Sequence, residues 1–273
     1  MFAWREDDGP LTRLVTDRLG GASTGPYAEF NLGDHVGDAP AAVARTRTLL
    51  AQSGGVAVHR LAFMTQVHGA HVAVVTARDL DAATDLDAGA PPDVSAELDV
   101  PVGGDDSATG VGVRALPVAD ALVTADRDVA LAVMVADCIP VILDDVDGGP
   151  IGVAHVGRGG LVAGVLSATV AALSALGARR VRALLGPSVC ATCYEVPEAM
   201  RAEVTAIAPA SHARTRDGRP ALDLAAGARA KLDALGVDSA VLPGCTRERS
   251  DLFSYRREGT TGRFAAVVVR HTT

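Results

Sequence analysis

Residues 129–161 read VALAVMVADCIPVILDDVDGGPIGVAHVGRGGL, and the way this stretch divides decides the fold. An apolar, β-branched run stops at Asp137-Cys138. A second, residues 141–143, meets a turn at 144–150, and a third, residues 151–154, stops at His155. Runs this short, bounded by Asp, Gly and Pro, predict buried strands rather than helix. Two of them deliver a thiol and an imidazole at their ends. The loop Gly157-Arg158-Gly159-Gly160 lets backbone come close to a ligand, and the Ala-rich segment behind it predicts a helix. A Cys and a His beside such a loop suit either metal ligation or a nucleophile with its base.

Length and composition set the outer limits. At 273 residues the chain can bury a substantial core, as one large α/β domain or two smaller ones. Hydrophobic residues make up 48% and aromatics only 3%, so the core is built from Ala, Val and Leu, and aromatics such as Tyr194, Phe253 and Tyr255 stand out. The formal charge of −8 argues against a nucleic-acid or anionic-membrane binder, whose footprint would be basic, and leaves room for a small anionic substrate. The start, MFAWREDDGPL, lacks the basic and apolar pattern of a secretory signal, so the expected location is cytoplasmic. Residues 161–178 carry no charge, but 11 of these 18 are Ala, Gly, Ser or Thr. That composition predicts one helix packed inside a soluble protein rather than a membrane span. Cysteines 138, 190, 193 and 245 are too few and too scattered for a disulfide scaffold and predict reduced thiols.

Elsewhere, residues 11–33 predict irregular strand and turn, 31–38 a polar loop in which His35 is a solvated or capping residue, and 39–53 a helix with Pro40 in its first turn. Residues 61–68 predict a strand ending at His68, with the next at 71–76. In that geometry His68 and His71 need not converge. Residues 77–116 are acidic and rich in Gly and Pro, an exposed insertion or a lid. A strand at 179–185 leads to Cys190 and Cys193, whose C-x-x-C spacing lacks both a second such pair and a following helix. The simpler reading is two small thiols in a packed loop. Helices follow at 198–207 and 222–235, the latter stopped by Gly236. Residues 245–263 place Arg247, Arg249, Arg256, Arg257 and Arg263 around Phe253-Ser254-Tyr255, ahead of a strand at 264–269. A solvated loop explains such a run, and guanidinium forks beside Ser and Gly backbone equally suit capture of a phosphate or carboxylate.

Five motifs in order carry a resemblance over residues 11–269: Thr65-Gln66-Val67-His68-Gly69, Ala119-Asp120-Ala121-Leu122-Val123-Thr124, Ala136-Asp137-Cys138-Ile139-Pro140-Val141-Ile142-Leu143, Ala154-His155-Val156-Gly157, and Phe253-Ser254-Tyr255-Arg256-Arg257 with Thr261-Gly262-Arg263. The chain resembles the bacterial laccase-domain, or polyphenol oxidase, family, whose members are described as multifunctional purine nucleoside enzymes. That resemblance implies an α+β fold in a single domain, mixed β-sheets flanked by helices in an α-β-β-α sandwich. It also implies a zinc site, with copper as the older assignment, held by His68, Cys138 and His155.

The implied reactions are phosphorolysis of adenosine, inosine and methylthioadenosine, with adenosine deamination. The family has been linked as well to copper-dependent phenol oxidation and to editing of peptidoglycan precursors. On this reading Asp137, Cys138 and His155 are catalytic, with Asp120 the other candidate acid or base. Gln66, Arg158, Arg256, Arg257 and Arg263 bind substrate, the last three as a phosphate site. The partners are purine nucleosides and phosphate, and the protein is a monomer or homodimer. Where relatives commonly read Ala-His-Ala-Gly-Trp-Arg-Gly, this chain has Ala154-His155-Val156-Gly157-Arg158-Gly159-Gly160, which keeps the ligand His and loses the Trp.

Other classes stay in view. A cysteine hydrolase or acyltransferase would use Cys138 and His155 without metal, and a non-catalytic metal-binding protein would turn over no nucleoside. A copper phenol oxidase fits least, because it calls for several copper centres and the chain has 7 His.

Overall fold

The computed structural model describes residues 1–86 and 116–273. Its elements in chain order are β1 (Phe2–Asp8), β2 (Leu11–Thr16), α1 (Pro40–Ser53), β3 (Leu61–Ala62), β4 (Val72–Val74), α2 (Ala77–Leu86), β5 (Ala121–Thr124), β6 (Ala130–Val135), β7 (Ile139–Asp145), β8 (Ile151–Val156), α3 (Arg158–Ala163), α4 (Val165–Ala175), β9 (Val181–Leu185), α5 (Glu198–Ile207), β10 (His212–Arg214), β11 (Pro220–Leu222), α6 (Leu224–Ala234), β12 (Asp238–Val241), α7 (Tyr255–Glu258) and β13 (Phe264–Arg270). Two mixed sheets dominate, one ordered β1-β2-β13-β6-β3 and the other β12-β9-β7-β8-β5-β4.

The layering follows from strand alternation. Successive residues of a strand point to opposite faces; β6, β7 and β8 are wholly buried, and apart from Asp144, Asp145 and His155 they are apolar on both faces. Leu131, Val133 and Val135 of β6 meet Leu122, Ile142, Ile151 and Val153 in the core between the sheets. The intervening Ala130, Ala132 and Met134 pack outward with Leu50 and Ala51 of α1. On the far side, Ala121, Val141, Leu143, Ala154 and Val156 meet Leu161, Leu166, Leu173, Val204, Leu224 and Leu232 of the helices α3 to α6. The expected α-β-β-α order is therefore what the parity of the apolar residues produces. A one-residue slip would turn every such side chain to the wrong layer, at about 1.5–3 kcal/mol for each large apolar group left exposed.

Several boundaries differ from expectation. β1 pairs antiparallel with β2, so the N-terminal segment is a sheet edge and residues 11–16 are regular and fully buried strand. The strand expected to reach His68 stops at Ala62, and the chain continues through a single bridge from Thr65 to Val118 before His68 takes a left-handed φ of 61°. The helix expected over 161–178 is two helices, α3 and α4, because Gly164 has φ 86° and breaks the ladder. At 77–116 the first ten residues form α2, and the rest of the expected insertion, from residue 87 to 115, lies outside the described residues. Among those described, no helix is long and apolar enough to cross a membrane.

The chain passes from one sheet to the other through Ala136-Asp137-Cys138, the link between β6 and β7. Asp137 takes a φ of 95° there. An L-residue in this region costs on the order of 1–3 kcal/mol and persists only where its surroundings hold it. Three donors do so: Thr246 Oγ1 at 2.6 Å, Ser254 Oγ at 2.7 Å and the Arg256 amide at 2.6 Å, all to the Asp137 carboxylate.

Candidate metal centre

Parity also builds the site. In β8, His155 falls in step with Ile151 and Val153, so its ring enters the space between the sheets. Asp120 is in step with Leu122 of β5, and Cys138 with Ile142 of β7, so both face the same way. β8 pairs with both β5 and β7, which brings the three side chains to one end of the gap. His68 arrives from the loop after β3. Ligand atoms of His68, Cys138 and His155 all lie within 4.8 Å of one another. Cys138 Sγ is 3.8 Å from His68 Nε2, and the two imidazoles meet edge to face with centroids 4.6 Å apart. His155 is buried, Cys138 partly buried and His68 exposed, so the group opens to solvent on the His68 side.

Asp120 organises this group. Its fully buried carboxylate accepts hydrogen bonds from the amides of His68 (2.8 Å), Gly69 (2.6 Å) and Val67 (3.3 Å), and pairs with His155 Nδ1 at 2.9 Å. The loop is thereby wrapped around one carboxylate, which offsets the left-handed turn at His68. Burial alone would raise the Asp120 carboxyl, but the His155 ring and the Gly69 and His68 amides outweigh it and hold it at about 2. With Nδ1 engaged, Nε2 of His155 is the nitrogen left for a ligand. Burial would likewise raise the Cys138 thiol, yet His155 and His68 bring it down to about 6. Burial would lower His155, and Asp120 and Cys138 lift it to about 9.

This donor set fits a zinc-like ion. A thiol poised to ionise and two imidazoles, one oriented by a carboxylate, are the ligand types and outer support such an ion takes, with a fourth position left open. The approach is tight: a Cβ on Gly157 would lie 2.8 Å from His68 Cδ2 and 3.0 Å from Cys138 Sγ. Only a glycine leaves the ligands their place.

The remaining expected site residues separate. Arg263 is partly buried within electrostatic reach of Cys138 and Asp137, with Nη1 on the carbonyls of Thr261 and Gly262; its Nε and Nη2 have no partner among the described residues. Arg256 stacks over Tyr194 at 4.6 Å and donates to the Glu195 carbonyl. Arg158 has no hydrogen-bond or ion-pair partner among the described residues. Arg257, expected to hold phosphate, is instead occupied: it donates to the carbonyls of Thr246, Arg249 and Leu252 and to Glu258. Gln66, also expected at the substrate, has its amide engaged at both ends by the Met134 backbone, at 2.8 and 3.0 Å. His71 joins no ligand cluster among the described residues. Sequence reasoning missed Asn31, whose Oδ1 accepts from the amides of Arg263 and Gly33 and fixes the Arg263 backbone. The Asn31–Arg263 contact spans 232 positions and leaves no local signal.

A family model described as multi-copper polyphenol oxidoreductase laccase matches residues 12–271. The chain belongs to this laccase family. Its laccase-family relatives include a purine nucleoside phosphorylase of Streptomyces coelicolor, 50% identical over 256 residues and covering 93% of each chain. A purine nucleoside phosphorylase of Corynebacterium glutamicum is 43% identical over 264 residues, 95% of this chain and 94% of the relative. Among solved structures, YlmD from Geobacillus stearothermophilus superposes with a TM-score of 0.79 at 28% identity, over 97% of this chain and 93% of that one. A Neisseria meningitidis protein superposes with a TM-score of 0.77 at 32% identity, over 98% and 99%.

Proposed function

We propose that this protein is a zinc-dependent purine nucleoside phosphorylase that converts adenosine, inosine and S-methyl-5'-thioadenosine with phosphate to free base and the sugar 1-phosphate, and that it also deaminates adenosine. The observation that carries the reading is the open His68-Cys138-His155 group backed by Asp120, in a chain 50% identical to a relative named purine nucleoside phosphorylase. An ion held by those three side chains supplies a Lewis acid at the reacting centre. The protein's own groups do the rest. His155 is held in one tautomer by Asp120. Arg263, with donors to spare and within electrostatic reach of Cys138, takes the phosphate, two of whose oxygens match a guanidinium fork. Tyr194, ring-stacked under Arg256, gives the base an aromatic wall in a chain that lacks the Trp of its relatives. Asp137, saturated by Thr246, Ser254 and Arg256, positions the crossover that carries Cys138.

A second reading rests on the closeness of Cys138 and His155: without metal the neighbouring imidazoles pull the thiol down to about 6 and Asp120 and Cys138 lift His155 to about 9, which favours the thiolate–imidazolium pair of a cysteine hydrolase or acyltransferase. His68, at 3.8 Å from the same sulfur, has no part in such a dyad and is required by a metal. The test is to incubate each nucleoside with and without phosphate, before and after chelation, and separate free base from deaminated nucleoside. Base release that needs both phosphate and metal supports phosphorolysis, and inosine formed from adenosine without phosphate supports deamination. No conversion in either arm overturns the proposal, and esterase or amidase turnover that survives chelation supports the dyad.

A further inference from the structure

A second group of ligand-type side chains lies away from His68 and His155. Cys190, Cys193 and Cys245 bring their three sulfurs within 4.8 Å of one another, although Cys245 is 52 positions from Cys193. Topology explains the meeting. β9 and β12 are parallel neighbours, so the loops that follow them leave the sheet at the same end, and Ser188 bridges Cys245 in parallel. Cys193 and Cys245 are buried and Cys190 is half-exposed. All three thiols are free, and Cys245 joins the C-x-x-C pair in one packed cluster.

From this geometry we infer that the three thiols, with Glu248, form a second zinc-type site of structural character. The Glu248 carboxylate lies 3.5 Å from Cys193 Sγ. In a tetrahedral zinc site a sulfur and an oxygen ligand are separated by about 3.5 Å and two sulfurs by about 3.8 Å, so the carboxylate stands at ligand distance from Cys193 and has to swing in towards the other two sulfurs, which themselves need to close by about 1 Å at most. The Cys190 amide donates to Cys245 Sγ at 3.3 Å and so fixes that sulfur's position. Arg216 pairs with Glu248, and its positive charge would offset part of the negative charge of three thiolates and a carboxylate around a dication. Four protein ligands leave no open position, which separates this site from the catalytic one.

Its consequence reaches the first site through Thr246. That residue follows Cys245 directly and donates to Asp137, while its carbonyl, with that of Arg249, receives Arg257. An ion tying Cys245 to Cys190 and Cys193 fixes the loop on which both contacts depend.

The test uses the full chain with His68→Ala and Cys138→Ala, which removes two of the first site's ligands, titrated with Co2+ as a spectroscopic probe. About one cobalt per chain, with sulfur-to-cobalt charge-transfer absorption and tetrahedral visible bands, is expected from a thiolate site of this kind. Adding Cys190→Ser and Cys193→Ser abolishes both signals, and Glu248→Gln keeps the charge-transfer band while weakening affinity by about tenfold or more. Absence of the bands in the double variant, or their survival after the Cys replacements, overturns the inference. Should the variants fail to fold, the unaltered protein is alkylated with and without zinc and the modified peptides mapped. Zinc is then expected to slow labelling of Cys190 at least about tenfold; equal rates, or a Cys190–Cys193 disulfide that zinc does not prevent, overturn it.

Discussion

Asp120 Oδ1 lies 2.9 Å from Nδ1 of His155, and the same carboxylate gathers the amides of Val67, His68 and Gly69. One side chain thus sets the tautomer of one ligand and the backbone of another. Asp120→Asn is expected to lower zinc affinity by about 10–100-fold, the usual loss when a carboxylate behind a ligand histidine is removed. Asp120→Ala, which leaves buried donors and an imidazole without a partner, should in addition destabilise the fold by about 3–5 kcal/mol. A chelator-competition titration and a denaturant melt separate the two, and unchanged affinity in Asp120→Asn would contradict the assignment.

Gly157 offers a test confined to the ligand set. A Cβ there would press on His68 Cδ2 and Cys138 Sγ at 2.8 and 3.0 Å, so Gly157→Ala should displace both. Zinc content and phosphorolysis are expected to fall together, by about tenfold or more, while the melting temperature of the metal-free protein changes little. Full metal occupancy in the variant would show that the ligands can move aside.

Arg257 in α7 and Arg263 just ahead of β13 should respond in different ways. Arg257→Ala removes donors from the backbone carbonyls of Thr246, Arg247, Arg249 and Leu252 and from Glu258, and is expected to destabilise by about 2–4 kcal/mol. Arg263→Ala removes a guanidinium with free donors and should raise the KM for phosphate about 10–100-fold with a smaller effect on stability. Steady-state kinetics against phosphate, paired with thermal melts, distinguish them. A phosphate KM left unchanged in Arg263→Ala would rule out its role.

Acid sensitivity should trace in part to Asp34. Its hydrogen bond with His35 and its pairing with Arg47 outweigh burial and hold the carboxyl at about 2, against an ordinary 3.8. A depressed pKa stabilises the fold fully above the ordinary value, and the benefit drains away as pH falls towards the folded one. With the side chain 45% exposed, solvent screening leaves about 1 kcal/mol. Asp34→Asn should therefore lose about 1 kcal/mol at pH 7, with the gap to the parent closing between about pH 4 and pH 2. Urea melts across that range check it; a gap independent of pH would assign the loss to packing.

The strands around Asp137-Cys138 and His155 were legible because β6, β7 and β8 are short, β-branched and bounded by turn residues. Their partition between two sheets was not, since nothing local to Ala136-Asp137-Cys138 marks a change of layer. His68 was named as a ligand through the family resemblance, and its left-handed turn depends on Asp120, 52 positions away. The part played by Asp120 needed the β5–β8 pairing to be seen. Arg257 and Arg263 look alike in sequence; which backbone carbonyls curl around a guanidinium is settled only by the folded loop. Cys245 joins Cys190 and Cys193 for a reason of the same kind, the adjacency of β9 and β12.

The crossover at Ala136-Asp137-Cys138 carries a rule for the evolution of this chain. Three residues separate the last of β6 from the first of β7, and alternation fixes which of them looks into the gap. Lengthening or shortening that link by one position would present a different side chain where the sulfur now stands, without disturbing either strand's own pairing. Insertions and deletions should therefore be absent from this segment in any descendant that keeps the ion, even where single substitutions around it are tolerated.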